Sequence, residues 1–363
     1  MLPPLLDLSS HTEMQTIISD GRTTYQGHPT TVLMPDGKTL FCVWTIGHGG
    51  PCGPLKKSTD GGRSWSGLLP TPANWRDHVN CPTIWHLPTM EAPLRLVVYA
   101  QEPESRRMVY SLSEDGGDHW TPMAPCGGDI VSVMPWTAIL PTGDGRLVGL
   151  TNARDPESSE VRSNRIIRSY SCDNGLSWTP PEPVTHLPEA NLCEPWVLPS
   201  PDGREWACLL RANNREYPSM VIFSRDHGTS WSEPRPLPEG LRGDRHIARY
   251  LPDGRILAVF RNVAPDTAGF GHFCGWVGRW EDLKNGTPGE LQLKLLHHVL
   301  ARPNFTMLAN FDCGYPGLEI LSDGTVVAVT YLHRRIEDVG NSVVSMRIPY
   351  SQLIQEISHE KTK

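Results

Sequence analysis

No stretch of this 363-residue chain approaches the ~18 consecutive apolar residues that a membrane-spanning helix requires. Positive charge is also in short supply. Lys and Arg number 33 against 40 Asp and Glu, a formal net charge of −7, so there is no electrostatic case for a nucleic-acid partner. The opening segment Met1 to Leu8 lacks the basic and long apolar regions of a secretion signal, and the expectation is a cytoplasmic protein unless a leader was removed. The 9 cysteines include no C-x-x-C pair. Cys42, Cys193, Cys208 and Cys274 sit in or beside strand patterns and read as small buried thiols in a reducing compartment. No ligand spacing supports a metal, and no cofactor is expected. Linkers and low-complexity stretches are absent as well, so residues 1–363 are expected to form a single domain, with 355–363 as a frayed tail.

What the chain does have is repetition. An octet S-x-D-x-G-x-x-W occurs from Ser58 to Trp65, Ser113 to Trp120, Ser171 to Trp178 and Ser224 to Trp231. The steps are roughly 55 residues, a period that signals a repeat architecture. In each octet the Asp accepts backbone N–H groups of a turn, the Gly supplies positive φ, and the Trp covers the turn. A second repeat runs out of step: apolar stretches split by Asp-Gly, a hairpin signal, recur at Asp36, Asp144, Asp202, Asp253 and Asp323. A sixth hairpin without that dipeptide fits Thr83 to Tyr99. Two hairpins make a four-stranded blade, and six such antiparallel blades make a closed ring, an all-β propeller. Asn341 to Ile348 offers a third strand to the last unit, and Met14 to Ser19 is expected to supply its fourth and close the ring.

The register of the repeats sorts polar residues by face. Loops entering each first strand and leaving each second strand share one mouth of the ring. That mouth is expected to carry His28, Asn80, Trp136, Glu194, Asp244, Arg245, His246 and Tyr315 on entry loops, and His48, Arg154, Arg211, Arg261 and His333 to Arg335 on exit loops. Convergent His, Arg and carboxylate groups at a ring mouth form the default site.

The octet is the Asp-box, and the chain resembles the sialidase-like propellers that carry it. The resemblance implies a glycoside hydrolase for a terminal acidic sugar, sialic acid foremost. It places Tyr315, in the segment Cys313 to Gly324, at the nucleophile position, Glu194 as the carboxylate that takes its proton, and Arg211 as a carboxylate-binding arginine, with Arg245 or Arg261 completing the clamp. A phenol with a pKa near ~10 is a poor nucleophile until a base removes its proton. Two positions depart from the family pattern. Tyr25 to Pro29 offers His28 or Gln26 where the family has its first arginine. Thr45 to Lys57 holds no carboxylate where the family has its acid/base aspartate, which leaves His48, or Asp77 from the next loop, for that role. His28, His246, Trp136 and Asn80 complete the substrate-binding set. Two rivals stand beside this reading: a lyase or hydrolase for uronic-acid glycans using His and Tyr, and a lectin-like module that binds sugar without cleaving it.

Overall fold

The fold is that of a computed structural model, which describes residues 2–158, 162–299 and 312–360. Six sheets stand around a central axis. The first blade pairs Gln26–Leu33, Leu40–Ile46 and Cys52–Ser58. The second, third and fourth begin with Val79–His86, Ala138–Pro141 and Leu192–Pro199, and each is a four-stranded antiparallel meander. The fifth, begun by Gly243–Tyr250, carries the short strand Leu5–Asp7 in parallel on its outer edge. The sixth runs Gly317–Ile320, Val326–Leu332 and Ser342–Ile348, and its outer strand is Gln15–Ser19 from the start of the chain, antiparallel with Gln15 opposite Met346. The first blade has three strands, and the chain that follows its Asp-box bonds back to the third of them through Ser66 N–H to Lys57 O (2.8 Å) and Leu69 N–H to Leu55 O (2.9 Å).

The Asp-boxes are the turns that follow the third strands of the first four blades; the Ser–Asp and Gly–Ser bonds are built in all four and the Trp bond in three. In the second blade Ser113 Oγ donates to Asp115 Oδ1 (2.9 Å), Gly117 N–H donates to Ser113 Oγ (2.9 Å), and Trp120 Nε1 donates to Gly117 O (3.1 Å). The His119 backbone N–H, which outweighs the opposing effect of burial, and the His119 and Ser113 side chains hold the Asp115 carboxyl down to about 2. These turns also lock neighbouring blades. Gly117, at φ +91°, lies against the Phe41 ring of the first blade, where an added Cβ would sit 2.5 Å from a ring carbon. Tyr99 of the second blade donates to Gly175 O of the third (2.5 Å).

The tail expected to fray from residue 355 is instead helical over Tyr350–Glu360. Leu353 and Ile357, one turn apart, are buried in the same apolar cluster as Val326 and Ile348, which fixes the helix to the ring. Residues 361–363 lie outside the described residues.

At the mouth, four first strands begin with a register shift: between Gly27 and Thr30, Val79 and Thr83, Cys193 and Trp196, and Asp244 and Ile247. Inside each shift lies a non-glycine residue at positive φ: His28 (48°), Cys81 (42°), Glu194 (53°) and Arg245 (53°). Such bulges re-aim a side chain away from the pleat.

Candidate active site

The same position recurs in all six blades, and in five of them proline follows it: His28, Cys81, Met134, Glu194 and Tyr315, with Arg245 followed by His246. Proline removes a ladder donor and disfavours helix for the residue before it, and in the first, second and fourth blades the pair falls inside the register shift, where the preceding side chain turns off the strand. His28, Cys81, Met134, Glu194 and Tyr315 line one pocket of about 340 Å³, with His48, Asn80, Arg154 and Arg211 around them.

Tyr315, Glu194 and Arg211 are in direct contact. The Tyr315 hydroxyl donates a short hydrogen bond to Glu194 Oε1. Arg211 Nη1 donates to the same oxygen at 2.8 Å and lies 3.4 Å from the Tyr315 hydroxyl. Glu194 is buried, and its Oε2 has no hydrogen-bond partner among the described residues. Burial first, and then the Glu194 charge, push the Tyr315 phenol well above its ordinary value. The phenol thus rests protonated, with its acceptor already in place.

A second cluster was not foreseen. Asp312, three residues before Tyr315, accepts the Tyr25 hydroxyl (2.6 Å), the Tyr331 hydroxyl (2.8 Å) and His48 Nδ1 (2.9 Å). Burial opposes its ionisation, but the His48 hydrogen bond and charge and the two tyrosine hydrogen bonds hold the carboxyl well below the usual range. A carboxylate thus reaches His48 from the sixth blade, where the segment Thr45 to Lys57 has none of its own. His48 donates through Nδ1, which leaves Nε2 for the pocket. His28 packs edge-on to both rings, with centroids 4.6 Å from Tyr315 and 4.6 Å from His48. Burial and the neighbouring His48 push the His28 pKa down to about 3, so it is neutral and accepts the Gly49 N–H at Nδ1 (3.1 Å). Asn80 also lines the pocket, tied to Gln101 Oε1 at 2.7 Å.

The remaining expected residues do not reach this pocket. Arg261 is buried below it, with Nη2 2.6 Å from Asp244 Oδ2. Asp244 also lies 3.0 Å from Arg211 Nε and pairs with Arg215. Burial works against its ionisation, but Arg211, Arg261 and Arg215 keep it a carboxylate. Two arginines assigned to the substrate clamp thus already hold an internal counter-ion. Arg245 lines the axial cavity beneath the mouth, and its buried Nη1 has no hydrogen-bond partner among the described residues. His246, the next residue, is turned into the blade wall by the alternation of the strand, where its Nε2 meets Leu241 O at 2.8 Å. Trp136 is fully buried against the Asp-box Trp178 (4.5 Å), since its indole belongs between blades, and Met134 takes the inward position. Asp77 is exposed on the 3-10 turn Ala73–Asp77, away from the pocket.

Comparison with known proteins agrees with the ring. No curated protein matches the sequence. Among solved structures the chain is similar to a protein of unknown function from Dyadobacter fermentans DSM 18053, with 16% identity over 92% of this chain and 97% of that one and a TM-score of 0.69. It is similar to the Hadza microbial sialidase Hz136, with 18% identity over 90% of this chain and 66% of that one and a TM-score of 0.61. It is also similar to the intramolecular trans-sialidase from Ruminococcus gnavus, with 14% identity over 93% of this chain and 97% of that one and a TM-score of 0.57. At these identities the likeness speaks for the fold. The family is given by sequence: the BNR repeat-like domain matches residues 12–326, and the chain belongs to that family, folded as a sialidase-like six-bladed propeller.

Proposed function

We propose that this protein is a retaining glycoside hydrolase that removes a terminal acidic sugar, with Tyr315 as nucleophile. The observation that carries the reading is the shared Glu194 oxygen, which accepts both the Tyr315 hydroxyl and Arg211. In the first half-reaction the Tyr315 oxygen attacks the anomeric carbon while its proton passes to Glu194. The glycosidic bond breaks, and His48, protonated and steadied by Asp312, gives its proton to the departing oxygen. In the second half-reaction neutral His48 takes a proton from water, the water oxygen attacks the anomeric carbon, and Tyr315 leaves with its proton returned by Glu194. Two displacements restore the starting configuration.

The test is turnover of fluorogenic sialoside, uronide and neutral glycosides by the wild type and Tyr315→Phe. An acidic glycoside is expected to be cleaved, with activity falling at least about a thousandfold in the variant. Wild-type-like activity in the variant would remove Tyr315 as nucleophile. Binding of glycans with no turnover at all would favour the lectin-like module.

One observation favours a second reading, an enzyme for uronic-acid glycans that uses His and Tyr as base and acid. Asp244 already neutralises Arg211 and Arg261, while His48 and Tyr25 share Asp312 at the pocket rim. A new ultraviolet absorbance from an unsaturated uronide product marks a lyase, and free sugar without it marks the hydrolase.

A further inference from the structure

Beyond His48 the pocket continues into a groove of about 540 Å³ over the second and third blades, and the two cavities share His48, Gly49, Asn80, Val133 and Arg154. Its walls are cationic. Arg106 and Arg165 line the groove, Arg162 lines the pocket, and Arg154 lies in both. None of the four makes an ion pair with a carboxylate among the described residues. Among the described residues the one acidic side chain on the groove wall, Asp129, is turned to Arg107 at 3.5 Å. Arg154 Nη1 spends its hydrogen bonds on neutral acceptors, Arg162 O (3.1 Å) and Asn164 Oδ1 (3.0 Å). Arg165 Nε is buried without a hydrogen-bond partner among the described residues. Burial first, then the charges of Arg162 and Arg106, push the Arg154 pKa down, which is the signature of cations gathered with too few anions.

We propose that this groove is the subsite for the leaving-group side of the substrate, and that it takes a glycan bearing carboxylate or sulfate on the sugars that follow the cleaved bond. The proposal rests on the glycosidase reading, because it places the scissile bond between Tyr315 and His48. It goes further by naming a polyanionic glycan, not an acidic sugar on a neutral carrier, as the substrate class. A guanidinium fork binds either anion through two parallel hydrogen bonds, and these arginines, unlike Arg211 and Arg261, hold no carboxylate among the described residues. An exposed cationic groove also draws such chains in, with an attraction that salt weakens.

The experiment is calorimetric binding to Tyr315→Phe, with and without Arg154→Met and Arg162→Met. These replacements keep the apolar stem and remove the charge. The probes are an oligogalacturonate, its neutral methyl ester, a sulfated oligosaccharide of similar length, and inorganic sulfate. The acidic oligosaccharides are expected to bind at least tenfold more tightly than the methyl ester, each Arg→Met change to weaken them about five- to tenfold, and raised salt to erase the difference. Preference for the carboxylate or the sulfate probe identifies the anion. Equal binding of the methyl ester, no effect of either arginine change, or no binding of any acidic oligosaccharide at millimolar concentration overturns the proposal. Circular dichroism of the arginine variants separates a lost site from a lost fold. Anionic binding through these arginines without turnover of any glycoside would leave the groove standing and sink the hydrolase.

Discussion

At the scale of single residues the candidate site pairs polar groups across blades. Tyr315 of the sixth blade meets Glu194 of the fourth, and His48 of the first meets Asp312 of the sixth. If His48 is the acid and base, His48→Ala and Asp312→Asn are expected to lower kcat about 10²- to 10⁴-fold on substrates with poor leaving groups. The loss in bond cleavage should shrink on aryl glycosides whose departing phenolate needs no proton. Equal losses on both substrate types, read from burst-phase kinetics, contradict the assignment. Glu319 is a residue outside the site with its own signature. It lines the axial cavity with Arg245, Arg249 and His86, accepts the Thr31 hydroxyl at 3.1 Å, and lies 3.9 Å from Arg249. Burial outweighs these partners and raises its pKa to about 7. The folded-state pKa lies above the unfolded one, so the stabilisation belongs to the neutral form. It is complete below the ordinary glutamate pKa and is lost as pH rises through about 7. Between pH 6 and 8 the stability of Glu319→Gln relative to the wild type should rise by about 1 kcal/mol in urea unfolding. A flat difference would mean that Glu319 is ionised throughout.

At the scale of elements the sequence carried most of the answer, because local chemistry writes the repeat. The Asp-box needs only Ser, Asp, Gly and Trp at fixed offsets, and the Asp-Gly hairpins need only their turn and alternating strands, so each unit is legible without its neighbours. Glu194, Arg211 and Tyr315 were legible because they sit at fixed places in that register. Asp312 was not, because its partners Tyr25 and His48 are far away in sequence and meet it only when the ring closes. His246 lies beside the register shift between Asp244 and Ile247, where counting residues from the loop no longer tells which face a side chain takes, and Trp136 is held by Trp178 between the blades. The row of residues preceding proline was a usable sign, since it marks the pocket-lining position in five of the six blades. Closure itself depends on Gln15–Ser19, whose Ile18 is buried against the first and sixth blades among Leu40, Val327 and Val343. Ile18→Ala is expected to cost about 2–4 kcal/mol in chemical denaturation. A cost under about 0.5 kcal/mol would show that the ring does not rely on this strand.

At the scale of the whole molecule the ring converts six weakly similar hairpin units into one asymmetric mouth. The scaffold repeats, but the inward position holds His28, Cys81, Met134, Glu194, Arg245 and Tyr315, six different side chains on one plan. The Asp-boxes cross-link the units from the sides, which keeps the central side chains in register. Function then depends on whether that mouth forms a bond to sugar. The most direct measurement is to incubate the protein with a fluorinated glycosyl fluoride of an acidic sugar that it turns over, and to locate the covalent adduct by peptide mass spectrometry. The account predicts a glycosyl group on Tyr315, absent from Tyr315→Phe. Turnover with no adduct and an inverted product, or an adduct on another residue, would contradict it.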